Sequence, residues 1–258
     1  MTRDYQHGFS SRMTSMYDTD QRVRKARTLH AVLADHCGDR LARMNVLTVG
    51  ASTGIIDAWL SQYVHDIVAI DIDEQAIAHA SANFASDKLH YRVGDAMALP
   101  ADDNSVDIVV CSQVYEHVPD AGRMMAEIRR VLRPGGVCYF AANNRLIVRE
   151  PHYGLYFLSW LPPRLADLYM RLAGKGTHYY ERHLTLPALR RLTAGFRVHD
   201  YTHRIVADPE RFQAGYMIPA RGWKALLVRQ LARRAYWLFP GYIWLLEKPA
   251  ARGETERT

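Results

Sequence analysis

Short apolar runs and polar, helix-spaced stretches take turns along the first 145 residues of this chain. Val46–Val49, Asp66–Asp71, Leu89–Asp95, Val106–Gln113 and Val137–Ala142 have strand length and many β-branched residues. Between them lie helical patterns that begin at Ile55, run over Asp73–Ala85, and run from Pro119-Asp120 to Leu132. In the last of these, Met124, Met125, Ile128, Val131 and Leu132 recur on one side, the pattern of a core-facing helix. Asp73 and Glu74 place negative charge in the first turn of theirs, where the helix dipole favours it. An earlier helix is predicted over Gln21–Cys37, with Val23, Ala26, Leu29, Ala31, Val32 and Leu33 toward one side. Its Arg22, Arg24, Lys25 and Arg27 read as a solvated face. This βαβ alternation predicts an α/β fold with a mostly parallel sheet covered on both faces, starting near Asn45.

The regular pattern breaks after Asn143-Asn144. Residues 145–186 are too long for an ordinary connection and are rich in His and aromatic residues, so an insertion over the active site is expected. Phe196–His203 alternates like a sixth strand and Tyr242–Lys248 like a seventh, ended by Pro249. A second insertion, 207–240, lies between them. In it Leu227, Leu231, Ala235 and Leu238 share one side of a helical wheel, with Arg229 and Arg233 opposite. That suits either a helix lying on a membrane surface through 221–239 or a helix packed on its own domain. The expected organisation is an N-terminal lid or helical segment over 1–44, then one domain over 45–258. Residues 1–20 either fold over a ligand or fray, and 250–258 read as a frayed tail.

The chemistry gathers at the strand ends. Val46–Val49 runs into Gly50-Ala51-Ser52-Thr53-Gly54 and then a helix, a place for a nucleotide-like ligand. Asp71 ends the next strand and can accept hydrogen bonds from both ribose hydroxyls. Asp95 ends the third strand, and Ser112-Gln113 the fourth.

These residues resemble a class I S-adenosylmethionine-dependent methyltransferase. Gly50–Gly54 match its glycine-rich motif, Asp71 its ribose-binding acid, and Asp95-Ala96 its adenine-contacting pair. Tyr115-Glu116-His117-Val118 match its E-H-V signature, and Leu132-Arg133-Pro134-Gly135-Gly136 its L-x-P-G-G turn. Thr48 stands where the family usually carries an acid, and Ser52 where it carries Gly. The resemblance implies a Rossmann-like, doubly wound, seven-stranded, mostly parallel sheet whose last strand is antiparallel, with S-adenosyl-L-methionine as cofactor. It also implies that Gly50, Ala51, Ser52 and Gly54 border the methionine end. Ile72 and Ala96 then sandwich adenine, Asp95 meets its amino group, and Ser112 and Gln113 lie beneath the sulfonium.

His117 is a candidate general base, because a hydroxyl acceptor benefits from one; a helix-capping role fits it equally. His152 is the second catalytic candidate. Tyr153, His178, Tyr180 and Glu181 are candidates for the acceptor pocket, with His183 close by. No metal is expected, although Gln113, Glu116 and His117 resemble part of the Glu-x-x-Glu-His magnesium site of small-RNA 2′-O-methyltransferases. The first expectation for the acceptor is O-methylation of a sugar, glycan or glycolipid. The alternative is a small aromatic or quinone-like molecule, and the second alternative a non-catalytic cofactor-binding protein, suggested by Thr48 and Ser52.

Composition adds little to this. The chain has 258 residues, 48% hydrophobic and 23% charged, as ordinary globular proteins have. Cys37, Cys111 and Cys138 lack metal-ligand spacing and read as reduced buried thiols. No signal peptide and no apolar run of membrane-spanning length are visible, so a cytoplasmic location is expected, with peripheral contact at the inner membrane face through 221–239. The net charge of +6 permits an anionic partner, but the basic residues are dispersed and no nucleic-acid partner is expected.

Overall fold

The computed structural model of the chain describes residues 6–250. Residues 1–5 of the expected N-terminal segment and 251–258 of the expected tail lie outside the described residues. A short helix α1 (Phe9–Arg12) and a 3₁₀ turn precede α2 (Thr19–Cys37), which Asp18 caps by accepting from the Gln21 N–H. Then follow β1 (Asn45–Val49), α3 (Ile55–Leu60), β2 (Asp66–Asp71), α4 (Glu74–Phe84), β3 (Leu89–Val93), β4 (Val106–Ser112), α5 (Ala121–Val131) and β5 (Leu132–Asn143). The C-terminal part adds α6 (Pro163–Leu172), α7 (Leu186–Leu192), β6 (Arg197–Asp200), α8 (Tyr201–Ala207), α9 (Gly222–Arg234) and β7 (Gly241–Glu247). Asp73 and Asp120 sit at the N-caps of α4 and α5, where each side chain accepts a backbone N–H left orphaned by the helix start.

The seven strands form one sheet in the order β3-β2-β1-β4-β5-β7-β6. β3, β2, β1, β4 and β5 pair in parallel, and β7 runs antiparallel to both of its neighbours. The period-two alternation of the strands sorts their side chains between two cores. Leu47, Val49, Val109 and Cys111 face α5, α7 and α9, while Val46, Ile108 and Val110 face α2, α3 and α8. The chain order reverses between β1 and β4, which opens a crevice at their C-terminal ends. Cys37, Cys111 and Cys138 are buried free thiols.

Three local expectations are corrected. The sixth strand stops at Asp200, because its carboxylate accepts the Thr202 N–H and starts α8 where the sequence alternation continues to His203. The fifth strand begins at Leu132 and carries Gly135-Gly136 inside it, with a register shift against β4 between Val106 and Ile108. A Cβ at Gly136 would stand 2.9 Å from the Arg133 and Asp107 carbonyl oxygens, so the two strands close only around glycine. Finally, α9 ends at Arg234, before Ala235 and Leu238, and of the expected apolar side Leu231 packs inward while Leu227 stays exposed. It packs through Ala225, Val228, Leu231 and Ala232, and leaves Leu226 and Leu227 more than half exposed.

Candidate active site

The glycine-rich turn, β2 and β4 together enclose a cavity of ≈ 150 Å³ at the β1/β4 crevice. Gly50 adopts φ +78°, and a Cβ there would lie 2.5 Å from Val114 Cγ2, so the loop after β4 approaches only a glycine. Ser52 takes φ 52°, unusual for a residue with a side chain, and its N–H donates to Asp71 Oδ2 at 2.8 Å. Asp71 Oδ1 accepts the Asp73 N–H at 2.9 Å. Burial raises the Asp71 pKa while these two donors oppose it. Gly50, Ser52, Asp71, Ile72, Asp95, Ala96, Ser112 and Gln113 all line the cavity, as expected from the sequence. Ala51 instead borders a smaller recess beside it. Gly54 touches neither; its carbonyl accepts the Tyr91 hydroxyl, and its missing Cβ lets Ala80 and Tyr91 pack against the turn.

The outer wall comes from the N-terminal segment. Gln6, Phe9, Ser10 and Met16 line the cavity. The segment is tied down where the Ser10 N–H donates to Asp73 Oδ2 at 2.8 Å and the Thr53 hydroxyl to the Met16 carbonyl at 2.7 Å. Arg22 and Lys25 enter from α2, on the face expected to be solvated. Lys25 Nζ donates to Gln113 Oε1 at 2.9 Å, and burial with the adjacent Arg22 holds its ammonium down to about 8. Among the described residues no carboxylate lies within ion-pair distance of Arg22 or Lys25. Asp57 is 1% exposed and borders the small recess with Thr48, Gly50, Ser112 and Gln113. It brings a carboxylate from α3 to the strand position where Thr48 replaces an acid. The signal for it was the acid inside the otherwise apolar Ile55–Leu60 helix start.

On the opposite side, the first insertion folds a group of acids and imidazoles against the loop after β4. His117 and His152 both line the cavity, with ring centroids 5.0 Å apart. His117 Nδ1 lies 4.0 Å from Glu181 Oε1, and Tyr153 reaches the same oxygen at 3.5 Å. Glu150 Oε1 lies 2.6 Å from His152 Nδ1. Burial acts to raise the Glu150 pKa, but His152 and His183 outweigh it and hold the carboxyl down to about 2. Burial pushes Glu116 and Glu181 up. His178 and Tyr180 do not join this group: His178 is exposed and pairs with Asp167 at 3.1 Å, and Tyr180 is exposed beside it. Glu150 is the member of this group that sequence reasoning did not select, whereas His183 stood beside the acceptor candidates and Glu116 in the E-H-V signature.

A second cavity, ≈ 370 Å³ and mainly apolar, meets the first at Lys25, Ser112 and Gln113. Ala141, Ala142 and Ile243 of the sheet, Ile205 of α8 and Val228 and Leu231 of α9 are among its walls.

A parallel sheet with a β1/β4 switch point, a reversed β7 and a strand-end cavity for a nucleoside-like ligand defines a Rossmann-like methyltransferase fold. Residues 47–140 match a family model described as a methyltransferase domain, and this part of the chain is similar to class I S-adenosylmethionine-dependent methyltransferases. The chain is 34% identical over 117 residues to a Mycolicibacterium smegmatis protein named "Probable S-adenosylmethionine-dependent methyltransferase", covering 45% of each chain. It is 30% identical over 167 residues to a ubiquinone biosynthesis O-methyltransferase of Psychrobacter arcticus, covering 62% of each. The chain thus spans about half to less than two thirds of these relatives' length. The same fold occurs in a methyltransferase solved with the Haloferax volcanii Trm112 activator, at TM-score 0.57 and 20% identity, covering 98% of this chain and 100% of that one. It also occurs in a Mesorhizobium loti methyltransferase, at TM-score 0.53 and 16% identity, covering 81% and 92%.

Proposed function

We propose that this protein transfers the methyl group of S-adenosylmethionine to a hydroxyl of a small, largely apolar acceptor of aromatic or quinone-like type. The carrying observation is the apolar cavity that meets the cofactor cavity at Lys25, Ser112 and Gln113. The ubiquinone biosynthesis name carried by several relatives supports the same reading. A sugar acceptor would call for many hydrogen-bonding walls, and the cavity offers few, so the glycan expectation gives way to its alternative.

The residues present fit the cofactor. Asp71 would hold the ribose hydroxyls and Asp95 with Ala96 the adenine. Arg22 and Lys25, partly buried cations with no carboxylate within ion-pair distance among the described residues, suit the methionine carboxylate. Gly50 provides the close backbone approach, and the segment around Phe9–Met16 acts as a lid that excludes water. When bound, S-adenosylmethionine supplies an electrophilic methyl group on a sulfonium. The chain's task is to hold an acceptor oxygen in line at about 3 Å and to take its proton. His117 takes that proton, with Glu181 behind it to stabilise the imidazolium.

The test is transfer of radiolabelled methyl from S-adenosylmethionine to a panel of prenylated hydroxyaryl compounds, free sugars and extracted glycolipids. Asp71→Ala, expected to lose about 10–100-fold in cofactor affinity, is the control. Label confined to the hydroxyaryl compounds is the expected result. Label in the sugar or glycolipid pools would overturn this acceptor class, and cofactor binding with no transfer would favour the binding-protein reading.

An apolar acceptor partitions into bilayers, and α9 roofs the apolar cavity. On its outer side Trp223, Leu226 and Leu227 are exposed at 69%, 58% and 57%, near Trp237 at 54% and the cations Arg221, Lys224, Arg233 and Arg234. This face suits peripheral contact with an anionic bilayer. In vesicle sedimentation, binding to phosphatidylglycerol vesicles should exceed binding to phosphatidylcholine, and Trp223→Ala with Leu227→Ala should weaken it about tenfold or more. Equal sedimentation of variant and parent would remove the membrane contact.

A further inference from the structure

Behind His117 the first insertion buries polar groups that the proton transfer just described does not use. Glu150 Oε1 lies 2.6 Å from His152 Nδ1 and 3.6 Å from His183 Nε2. One ligand atom from each of these three residues lies within 4.8 Å of the others. The Glu150 and His183 side chains are 0% exposed. Glu150 Oε2 accepts the backbone N–H groups of His152 and Tyr153, both at 2.8 Å, which fixes the carboxylate and turns Oε1 toward the two imidazoles.

The surrounding atoms are the anomaly. Among the described residues neither ring nitrogen of His183 has a hydrogen-bond partner, and neither does either oxygen of Glu116, a residue 0% exposed. After burial itself, the influences Glu116 feels include His183 first and then His152, so its carboxyl belongs to the same group. A purely structural polar network would satisfy its members, since each buried idle group costs about 1–3 kcal/mol. An ionised carboxylate offers only acceptor atoms and a neutral imidazole offers a lone pair. A cation satisfies both kinds of atom at once.

We propose that Glu150, His152 and His183, with Glu116 beside them, bind a divalent transition-metal ion. Two imidazoles with carboxylates suit Zn²⁺, Co²⁺, Fe²⁺ or Mn²⁺. Mg²⁺ and Ca²⁺ require more oxygen ligands. This ligand set differs from the partial motif noted in the sequence: Gln113 is engaged with Lys25, and Glu150 and His183 come from the insertion and its return. His152 also lines the cofactor cavity, so the ion would stand at that cavity's wall and would favour the ionised form of an acceptor hydroxyl that reaches it. That consequence rests on the methyltransferase reading, whereas the binding site does not.

The experiment is titration of the full-length, chelator-treated, tag-free protein with Zn²⁺ by calorimetry and with Co²⁺ by visible absorption. One equivalent per chain is expected, with a Co²⁺ spectrum of low coordination number. His183→Ala and Glu150→Gln should each weaken binding by more than about 100-fold, since losing outer-shell partners alone reaches that size. His178→Ala, an exposed imidazole outside the group, should bind like the parent. Calorimetric binding of S-adenosylmethionine to the same variants reports folding and separates this question from methyl transfer. Glu150→Gln keeps the side-chain shape and carries the test if His183→Ala does not fold. Lost Co²⁺ binding with cofactor binding retained supports the site. Unchanged Co²⁺ binding in both folded variants overturns it, as does a parent protein that binds cofactor but no metal. A chain that binds Co²⁺ yet methylates no acceptor leaves the site standing and removes only the acceptor reading.

Discussion

His117→Ala is expected to lower kcat by about 10²–10⁴-fold while leaving S-adenosylmethionine affinity within about threefold of the parent. The imidazole lines the cavity beside the loop after β4, and its Nδ1 lies 4.0 Å from the buried Glu181 carboxylate. If it removes a proton in the transition state, the loss should shrink as the acceptor hydroxyl becomes more acidic, because a more acidic hydroxyl needs less help. A rate measured against a series of substituted hydroxyaryl acceptors checks this. A loss that is the same for every acceptor would assign His117 a positioning role, and an unchanged kcat would end its catalytic assignment.

Asp57→Asn is expected to stabilise the cofactor-free protein at pH 8 by on the order of 4 kcal/mol. The carboxyl is 1% exposed, and among the described residues neither oxygen has a hydrogen-bond partner. Burial pushes its pKa from 3.8 up to about 7, against the opposing influence of Thr48 and Arg22. The folded state therefore holds a proton that the unfolded state releases near pH 4. This group's contribution is fully favourable below about pH 4, declines as pH rises toward 7, and levels off above that. Denaturant unfolding of parent and variant across that window should show the parent losing stability with pH and the variant losing much less. Parallel stability curves would mean that Asp57 is paired in solution and that its burial stores no strain.

The two positions differ in how a reader of the sequence meets them. His117 follows a strand and sits in a recognisable E-H-V context, so its place on the cavity wall was legible. Asp57 lies inside a helix start, and its one local signal, the apolar residues around it, does not show that it is buried. Its burial follows from how α3 docks against α2 and the turn after β1. Arg22 and Lys25 illustrate the same point from the other side. On a helical wheel they look like a polar face, yet in the fold that face closes the cavity at the strand ends.

Local pattern determined the elements of the core. The β1–turn–α3 unit, the acids ending β2 and β3, the Asp caps of α4 and α5 and the apolar side of α5 depend on contacts between near neighbours in the chain. Such contacts leave period-two or helical spacing and specific cap and turn residues in the sequence. The fold class and most of the residues that line the strand-end cavity followed from them. Tertiary structure alone decided the rest. The alternation at Phe196–His203 did not reveal that Asp200 would cap a helix. The wheel of α9 did not reveal which side would pack, because both sides carry apolar residues and only the shape of the apolar cavity selects Val228 and Leu231. Glu116, Glu150, His152, Glu181 and His183 meet only because the long insertion returns over the loop after β4. No periodicity encodes that return, since these contacts join segments whose separation is set by the path of a loop and not by a repeating backbone geometry.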